Sequence, residues 1–238
     1  MPPRRGYPVP PRGYFDSEEV MQGYRFEFHG AEMEARESGA LWWSARRMLV
    51  VSDLHLGKSG RMARRGGVLL PPYEGHETLM RLEGEIAALA PETVTCLGDS
   101  FDDPEAATLP QDEALWLARL MAGRDWIWVE GNHDPGPVVT HGRNVAELHV
   151  RGIVLRHIAR PGAVAEISGH YHPKVRLAGQ SRPAFLLDRD RLILPAFGAY
   201  TGGLRVGDPV IAGLLRADAR AILTGKGGLV VPARKSGN

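Results

Sequence analysis

A single cysteine, Cys96, stands in the whole chain of 238 residues, so no intrachain disulfide can form and a disulfide-stapled secreted scaffold is excluded. No run of roughly 18 apolar residues and no secretory signal pattern occurs, which excludes a membrane-spanning helix. A reducing cytoplasm is the expected compartment, with no membrane partner. Surplus charge is missing too: 29 Lys and Arg face 28 Asp and Glu, a net of +1, so the chain is no polycation and any anionic partner must be met by a local patch. With 43% hydrophobic and 24% charged residues, wholesale disorder is excluded and one well-filled core is within reach. Glycine and proline are abundant instead. At 29 and 18 they make up roughly a fifth of the chain, against about 12% in average usage, which favours many loops that carry function.

The first 20 residues hold five prolines and three arginines with no apolar period and read as a flexible tail, as do residues 233–238. One domain is expected over 21–232. From Tyr24 the string YRFEFHG alternates aromatic and polar residues, and Ala40 to Trp43 is strand-like, so an opening hairpin is expected. Met48 to Ser52 is a short apolar run ending at DLHLG. Glu74 to Ala90 has helical spacing, with Leu79, Leu82, Ile86 and Leu89 on one stripe, and stops at Pro91. Thr93 to Leu97 is a second β-type run ending at GDSFDD, Asp112 to Ala122 is helical, and Trp126 to Glu130 is a strand ending at GNHD. Strands separated by helices predict βαβ crossovers in an α/β fold, whose functional loops gather at the carboxyl ends of the strands. Beyond residue 145 the helical period disappears, and short β runs are expected at 145–150, 153–157, 164–168, 184–187 and 192–194.

The polar loops hold Asp53 and His55, then Asp99, then Asn132 and His133, then His157, then His170 and His172. A lone histidine is ordinarily a surface or hydrogen-bonded residue. Carboxylates and imidazoles at the ends of successive rigid strands are different, because their loops converge as a divalent-metal site requires. An Asp, Asn and His set without thiolate suits Mn, Fe or Zn in a working centre rather than a structural zinc site.

The order D-x-H (Asp53, His55), G-D-x-x-D (Gly98, Asp99, Asp102), G-N-H-D (Gly131 to Asp134), a single His157 and G-H-x-H (Gly169, His170, His172) resembles the calcineurin-like metallophosphoesterases. The resemblance implies an αββα sandwich of two mixed sheets flanked by helices, with two divalent metal ions in the cleft above it. It implies that Asp53, His55 and His172 hold one ion and Asn132, His157 and His170 the other, with Asp99 bridging. Two ions about 3.5 to 4 Å apart can bind phosphate oxygens and activate a bridging hydroxide. By the same resemblance His133 lies beside the scissile phosphate as a catalytic group, and Asp102 orients it. The competing reading of Asp102 is a solvated turn residue beside Asp103.

The ligand blocks are 46, 33, 25 and 13 residues apart, each interval filled by one secondary-structure unit, so no inserted cap fits and the cleft stays open. An open cleft suits a polymer better than a small molecule. Lys58, Arg61, Arg64 and Arg65 place four cations in eight residues with no acid, readable as a phosphate-backbone clamp or as an ordinary solvated loop. Arg156, Lys174 and Arg176 flank other ligand loops, and Tyr73, Tyr171 or Phe101 are candidates to stack on an unpaired base.

The strings SDLHLGKSGRMARRGGVLLPPYEG, LGDSFDD and LPAFGAYTGGL are similar to the bacterial ligase-associated DNA damage response endonucleases, a subgroup of that superfamily. This implies a manganese-favouring phosphodiesterase, with Fe or Zn as alternatives, acting on single-stranded or looped DNA beside a DNA ligase and a helicase. Phe197, Tyr200 and the glycines around them in the third string are also readable as a structural turn. The subgroup often carries histidine where this chain has Asp102, a departure that bears on the balance of monoesterase and diesterase activity. A small-molecule phosphatase or nucleotide phosphodiesterase is the alternative. A non-catalytic scaffold is disfavoured because every ligand position is filled. Neutralising Arg61, Arg64 and Arg65 together is expected to weaken DNA binding and flatten its salt dependence, and an unchanged salt slope returns the segment to an ordinary loop.

Overall fold

A computed structural model describes residues 23–58, 74–102, 109–134, 136 and 141–233. The expected tail at 1–20 and residues 234–238 of the one expected at 233–238, together with Arg61, Arg64, Arg65 and Tyr73, lie outside the described residues, whereas Ala233 is buried and its N–H donates to Ala219 O. The chain opens with an antiparallel meander of β1 (Tyr24–Phe28), β2 (Ala31–Ala35) and β3 (Leu41–Trp43), and β3 pairs antiparallel with β4 (Met48–Val51). From β4 the sheet turns parallel through β5 (Thr93–Leu97), β6 (Asp125–Val129) and β7 (Arg143–Val145). The crossovers carry helices α1 (Glu74–Leu89) and α2 (Gln111–Met121). Seven strands thus form the first sheet in sequence order, β1 to β7.

The second sheet runs β15-β14-β12-β13-β10-β9-β8, from β8 (Leu148–Val150), β9 (Ile153–Leu155), β10 (Glu166–Ser168), β12 (Gln180–Leu187), β13 (Arg191–Ile193), β14 (Arg220–Leu223) and β15 (Val230–Pro232). Off this path β11 (Lys174–Leu177) forms an antiparallel hairpin with β12, and a six-residue helix, α3 (Pro209–Leu214), precedes β14. Among the described residues the parallel pairings in this sheet are β9 with β10 and β10 with β13.

Alternating residues decide which sheet face meets which layer. Met33, Leu41, Val50, Leu97 and Val129 of the first sheet meet Leu155, Ile167, Phe185, Leu192 and Ile222 of the second, and this sheet-on-sheet layer is the central core. On the opposite face of the first sheet, Leu49, Val51, Val94, Trp126 and Trp128 bury against Leu79, Leu82 and Ile86 of α1 and Leu117 and Leu120 of α2. The outer face of the second sheet, with Leu186, Ile193, Ala221 and Leu223, is covered by Ile211 of α3, Val206 and Leu215. The result is the expected αββα sandwich, with loop segments supplying much of the fourth layer.

Both expected helices are present to within two residues. Leu89 ends α1 because Ala90 adopts a left-handed φ of 44° and Pro91 follows, which cannot donate to the ladder. The two runs expected to form the opening hairpin, from Tyr24 and at 40–43, do not pair with each other, because β2, additional to the expected runs, lies between them. In the second half β11, β14, β15 and α3 are additional to the expected runs. Among the described residues no helix is long and apolar enough to cross a membrane. Because Phe185 is buried between the sheets, Phe185→Ala is expected to cost about 3–5 kcal/mol in urea unfolding. A loss below about 1 kcal/mol would mean the two sheets do not share this core.

Candidate metal centre

Every candidate ligand follows the carboxyl end of a strand. Asp53 and His55 follow β4, Asp99 follows β5, Asn132 and His133 follow β6, His157 follows β9, and His170 and His172 follow β10. Parallel pairing brings the ends of β4, β5 and β6 to one edge, and that of β9 and β10 does the same in the second sheet. The two edges meet where His157 Nδ1 donates to Leu97 O at 2.8 Å.

Side chains there form two groups. Asp53, His55 and His172 offer ligand atoms within 4.8 Å of one another, and so do Asp99, His157 and His170. In the first, His172 Nε2 lies 3.1 Å from Asp53 Oδ1 and 3.4 Å from His55 Nε2. In the second, His157 Nε2 lies 3.2 Å from Asp99 Oδ2, 3.1 Å from His170 Nδ1 and 3.0 Å from Asn132 Oδ1. The groups adjoin, since the His170 N–H donates to Asp53 Oδ2 at 3.0 Å.

Backbone geometry around these atoms is unusual. Asp53, His55, Asp99, His170 and His172 all have φ between 44° and 72°, the left-handed region that non-glycine residues rarely occupy. Such strain persists only where the surroundings over-determine it. Here they do: Asp53 N–H donates to Gly98 O, His55 N–H to Asp99 O, Phe197 N–H to Ser52 O and Gly198 N–H to Asp53 O, at 2.7 to 3.2 Å. Gly98 itself must be glycine, because at its φ of 72° a Cβ would sit 2.6 Å from the His157 ring.

Two buried carboxylates dominate the electrostatics. Burial would push Asp53 up, but contact with His172 and the charge of His157 hold it below the usual carboxylate range. Asp99 is likewise opposed by burial, yet its hydrogen bond to His157 brings it down to about 2. His157 is raised above its ordinary value, because its bond to Asp99 and the charges of Asp53 and Asp99 outweigh the burial that would lower it. Burial and the His157 charge hold His170 down.

The donor set fits a cation. Donation from Nδ1 to Leu97 O leaves the neutral His157 with its Nε2 lone pair facing a carboxylate, an amide oxygen and a second imidazole. Buried Asp53 Oδ1 has no hydrogen bond, while Oδ2 accepts from His170 N–H. That many acceptors at one place require a cation or a captured proton.

The surrounding residues divide sharply. His133, half-buried at the rim, donates its backbone N–H to Asp99 Oδ1 at 2.9 Å, and its Nε2 lies 4.0 Å from Asp99 Oδ2. The Asp102 carboxylate, expected to orient His133, instead faces His55 Nδ1 at 3.2 Å. His133 Nδ1 is met by the Asp102 backbone carbonyl at 3.0 Å, because the chain turns after β5 with its peptide, not its side chain, toward the β6 loop. Lys58 Nζ donates to Tyr200 O at 3.1 Å. Arg156 is no free cation, being buried against Glu147 and Glu166. Phe101 and Tyr171 are buried in apolar clusters and present no stacking face.

Asp134 had no assigned role in the sequence. Its buried carboxylate accepts from the N–H groups of Asp99, Ser100, Phe101 and Gly131 at 2.8 to 3.3 Å, locking the β5 and β6 loops together. Its place at the end of the G-N-H-D block was the available signal.

The pH dependence has a definite sign. His157 is raised above the ordinary value of about 6.5, so in metal-free protein its contribution to stability is complete below that pH and lost as pH rises through the folded value. Asp99 contributes above its ordinary range and loses that only as pH falls toward about 2. Between pH 6 and 8 the stabilisation given by added divalent cation, read as a rise in Tm, is therefore expected to grow with pH. An equal rise at both ends of that range would contradict this account of the site.

Residues 46–158 match the family model of the calcineurin-like phosphoesterases. The chain is also similar to the crystal structure of the nuclease MPE of Pseudomonas putida, at 28% identity and a TM-score of 0.70, over 86% of this chain and 98% of that one. No curated protein matches it. The family match ends before Gly169, and the structure carries the site onward to His170 and His172, which complete both side-chain groups. Fold, loop placement and the family match over 46–158 agree in their likeness to the calcineurin-like phosphoesterases and support a metal-dependent phosphoester hydrolase.

Proposed function

We propose that the protein is a DNA endonuclease acting on single-stranded or looped DNA, with a pair of divalent cations, manganese favoured over iron or zinc. The observation that carries this reading is the pair of adjoining carboxylate and imidazole groups, with no cap between their loops among the described residues, in a chain 28% identical to a nuclease. Asp53, His55 and His172 would hold one cation and Asn132, His157 and His170 the other, with Asp99 shared. Such a pair would neutralise phosphate oxygens and lower the pKa of a bound water.

The remaining work falls to the protein. His133 is a catalytic residue in this reading: the Asp102 carbonyl holds Nδ1 as the donor, so Nε2 is the atom that meets the reacting phosphate. A protonated His133 can pass its Nε2 proton to the departing oxygen. Asp102 acts on His55, and Asp134 keeps the Asp99 loop in place. Lys58, with Arg61, Arg64 and Arg65 next to it in sequence, would meet DNA phosphates. The product ends would pass to a ligase, with a helicase supplying unpaired strands, in a repair role in the cytoplasm.

Metal-stripped protein given Mn, Mg, Zn or Ca separately with covalently closed single-stranded DNA tests the reading. Manganese is expected to linearise the circle. His133→Ala should lose at least about a hundredfold in rate while keeping its metal, whereas Asp99→Ala should lose both. Equal metal loss in the two variants would contradict the division of roles. Intact circles together with rapid release of phosphate from simple esters would move the substrate to a small molecule.

A further inference from the structure

Among the described residues, two lysines follow closely on ligand loops. Lys58 lies three residues after His55, and Lys174 two residues after His172, and the two ammonium groups donate to successive carbonyls, Tyr200 O at 3.1 Å and Thr201 O at 2.8 Å. Between these lysines the Tyr200 side chain is 54% exposed, although most aromatic rings among the described residues are buried. Its backbone is left-handed, with a φ of 54°, a conformation that non-glycine residues seldom adopt.

Past Thr201 the chain runs alongside β11. Lys174 N–H donates to Leu204 O, Val206 N–H donates to Lys174 O, and Lys174 pairs in register with Arg205. Residues paired in register leave the same face of the pleat, and so does Arg176, two residues beyond Lys174 and about 6.6 Å along the strand. Together they border a groove of about 860 Å³. Its inner end is Gly203, whose Cβ position would be 2.1 Å from the carbonyl oxygen of His172. The groove therefore begins where the candidate metal centre ends.

Among the described residues no carboxylate pairs with Lys174, Arg176 or Arg205, and both arginines are exposed. The acid that lines the groove, Asp208, is occupied in capping α3, where it accepts from Val210 N–H at 2.9 Å. We propose that this groove is the binding track for the single-stranded segment flanking the reacting phosphate: Tyr200 stacks on one base, and Lys174, Arg176 and Arg205 meet successive backbone phosphates. The proposal rests on the endonuclease reading and adds a direction to it, since the flanking strand leaves on the His172 side. An exposed ring beside cations that no carboxylate neutralises is the arrangement that single strands use, because every base offers a stacking face and every linkage a charge.

The test is binding of fluorescein-labelled dT20 to metal-free full-length protein across a salt series, with manganese-dependent cleavage of the same oligonucleotide and hydrolysis of bis(p-nitrophenyl) phosphate measured alongside. Tyr200→Ala is expected to raise Kd about tenfold, and Tyr200→Phe to restore it, because the ring and not the hydroxyl meets the base. Arg176→Gln with Arg205→Gln should lower the slope of log K against log salt by about 1.4, at roughly 0.7 for each single-strand phosphate no longer neutralised. In each weakened variant KM should rise far more for the oligonucleotide than for the small diester. Wild-type protein that binds and cuts dT20, with variants matching it in Kd and slope, overturns the track and leaves the endonuclease reading standing. Wild-type protein that hydrolyses the small diester but neither binds nor cuts dT20 overturns both.

Discussion

Two carboxylates, Asp53 and Asp99, lie buried beside one another at the meeting edge of two sheets, and their charge is the constraint that the surrounding structure answers. A buried carboxylate is tolerated only with opposite charge and hydrogen bonds around it. His157, raised by its bond to Asp99 and by the charges of both carboxylates, supplies the first. The backbone supplies the second: the N–H groups of His170 and His133 donate to Asp53 and Asp99, and Asp134 fixes the loop that carries Asp99. Neutral substitutions in this cluster would relieve the charge and leave the sandwich with no chemistry, which is why the same residues are both the most strained part of the fold and its working part.

Much of the site was legible because its residues are punctuation. Asp53, Asp99, Asn132, His157 and His170 each interrupt an apolar run at its carboxyl end, and a parallel sheet guarantees that such interruptions share an edge. What sequence could not reveal was direction within a loop. Asp102 belongs to the right turn, but whether its carboxylate or its carbonyl faces His133 depends on a peptide orientation that no spacing encodes. Asp134 was hidden because its partners are backbone N–H groups, which every loop possesses. Exposure was misjudged for the aromatics for a related reason: Phe101 and Tyr171 sit in polar strings yet are buried, while Tyr200, in an apolar string, faces outward.

The fold divides the same way. Helices α1 and α2 and strands β4, β5 and β6 have long or purely apolar patterns, and all were legible. In the second half the elements that were not, β11, β14, β15 and α3, are three to six residues long, and β11 and β15 have no fully buried side chain, so neither periodicity nor composition marks them. They form the outer half of the second sheet, where one short helix and several loops stand in for a full helical layer. That looser covering leaves room for the 196–207 segment to run from the core, through Phe197 and Gly198 on the Asp53 loop, out to the surface at Arg205.

Neither side-chain group is built by one sheet. Asp53 and His55 come from the first and His172 from the second; Asp99 comes from the first and His157 and His170 from the second. A chain emerging from the ribosome at about 5–20 residues per second therefore completes its first sheet well before either triad can exist. Even after His172 is made, β10 lacks its parallel neighbour β13 until residue 193 has followed. Neither ligand group can therefore form before the second sheet is made and the two sheets close on one another.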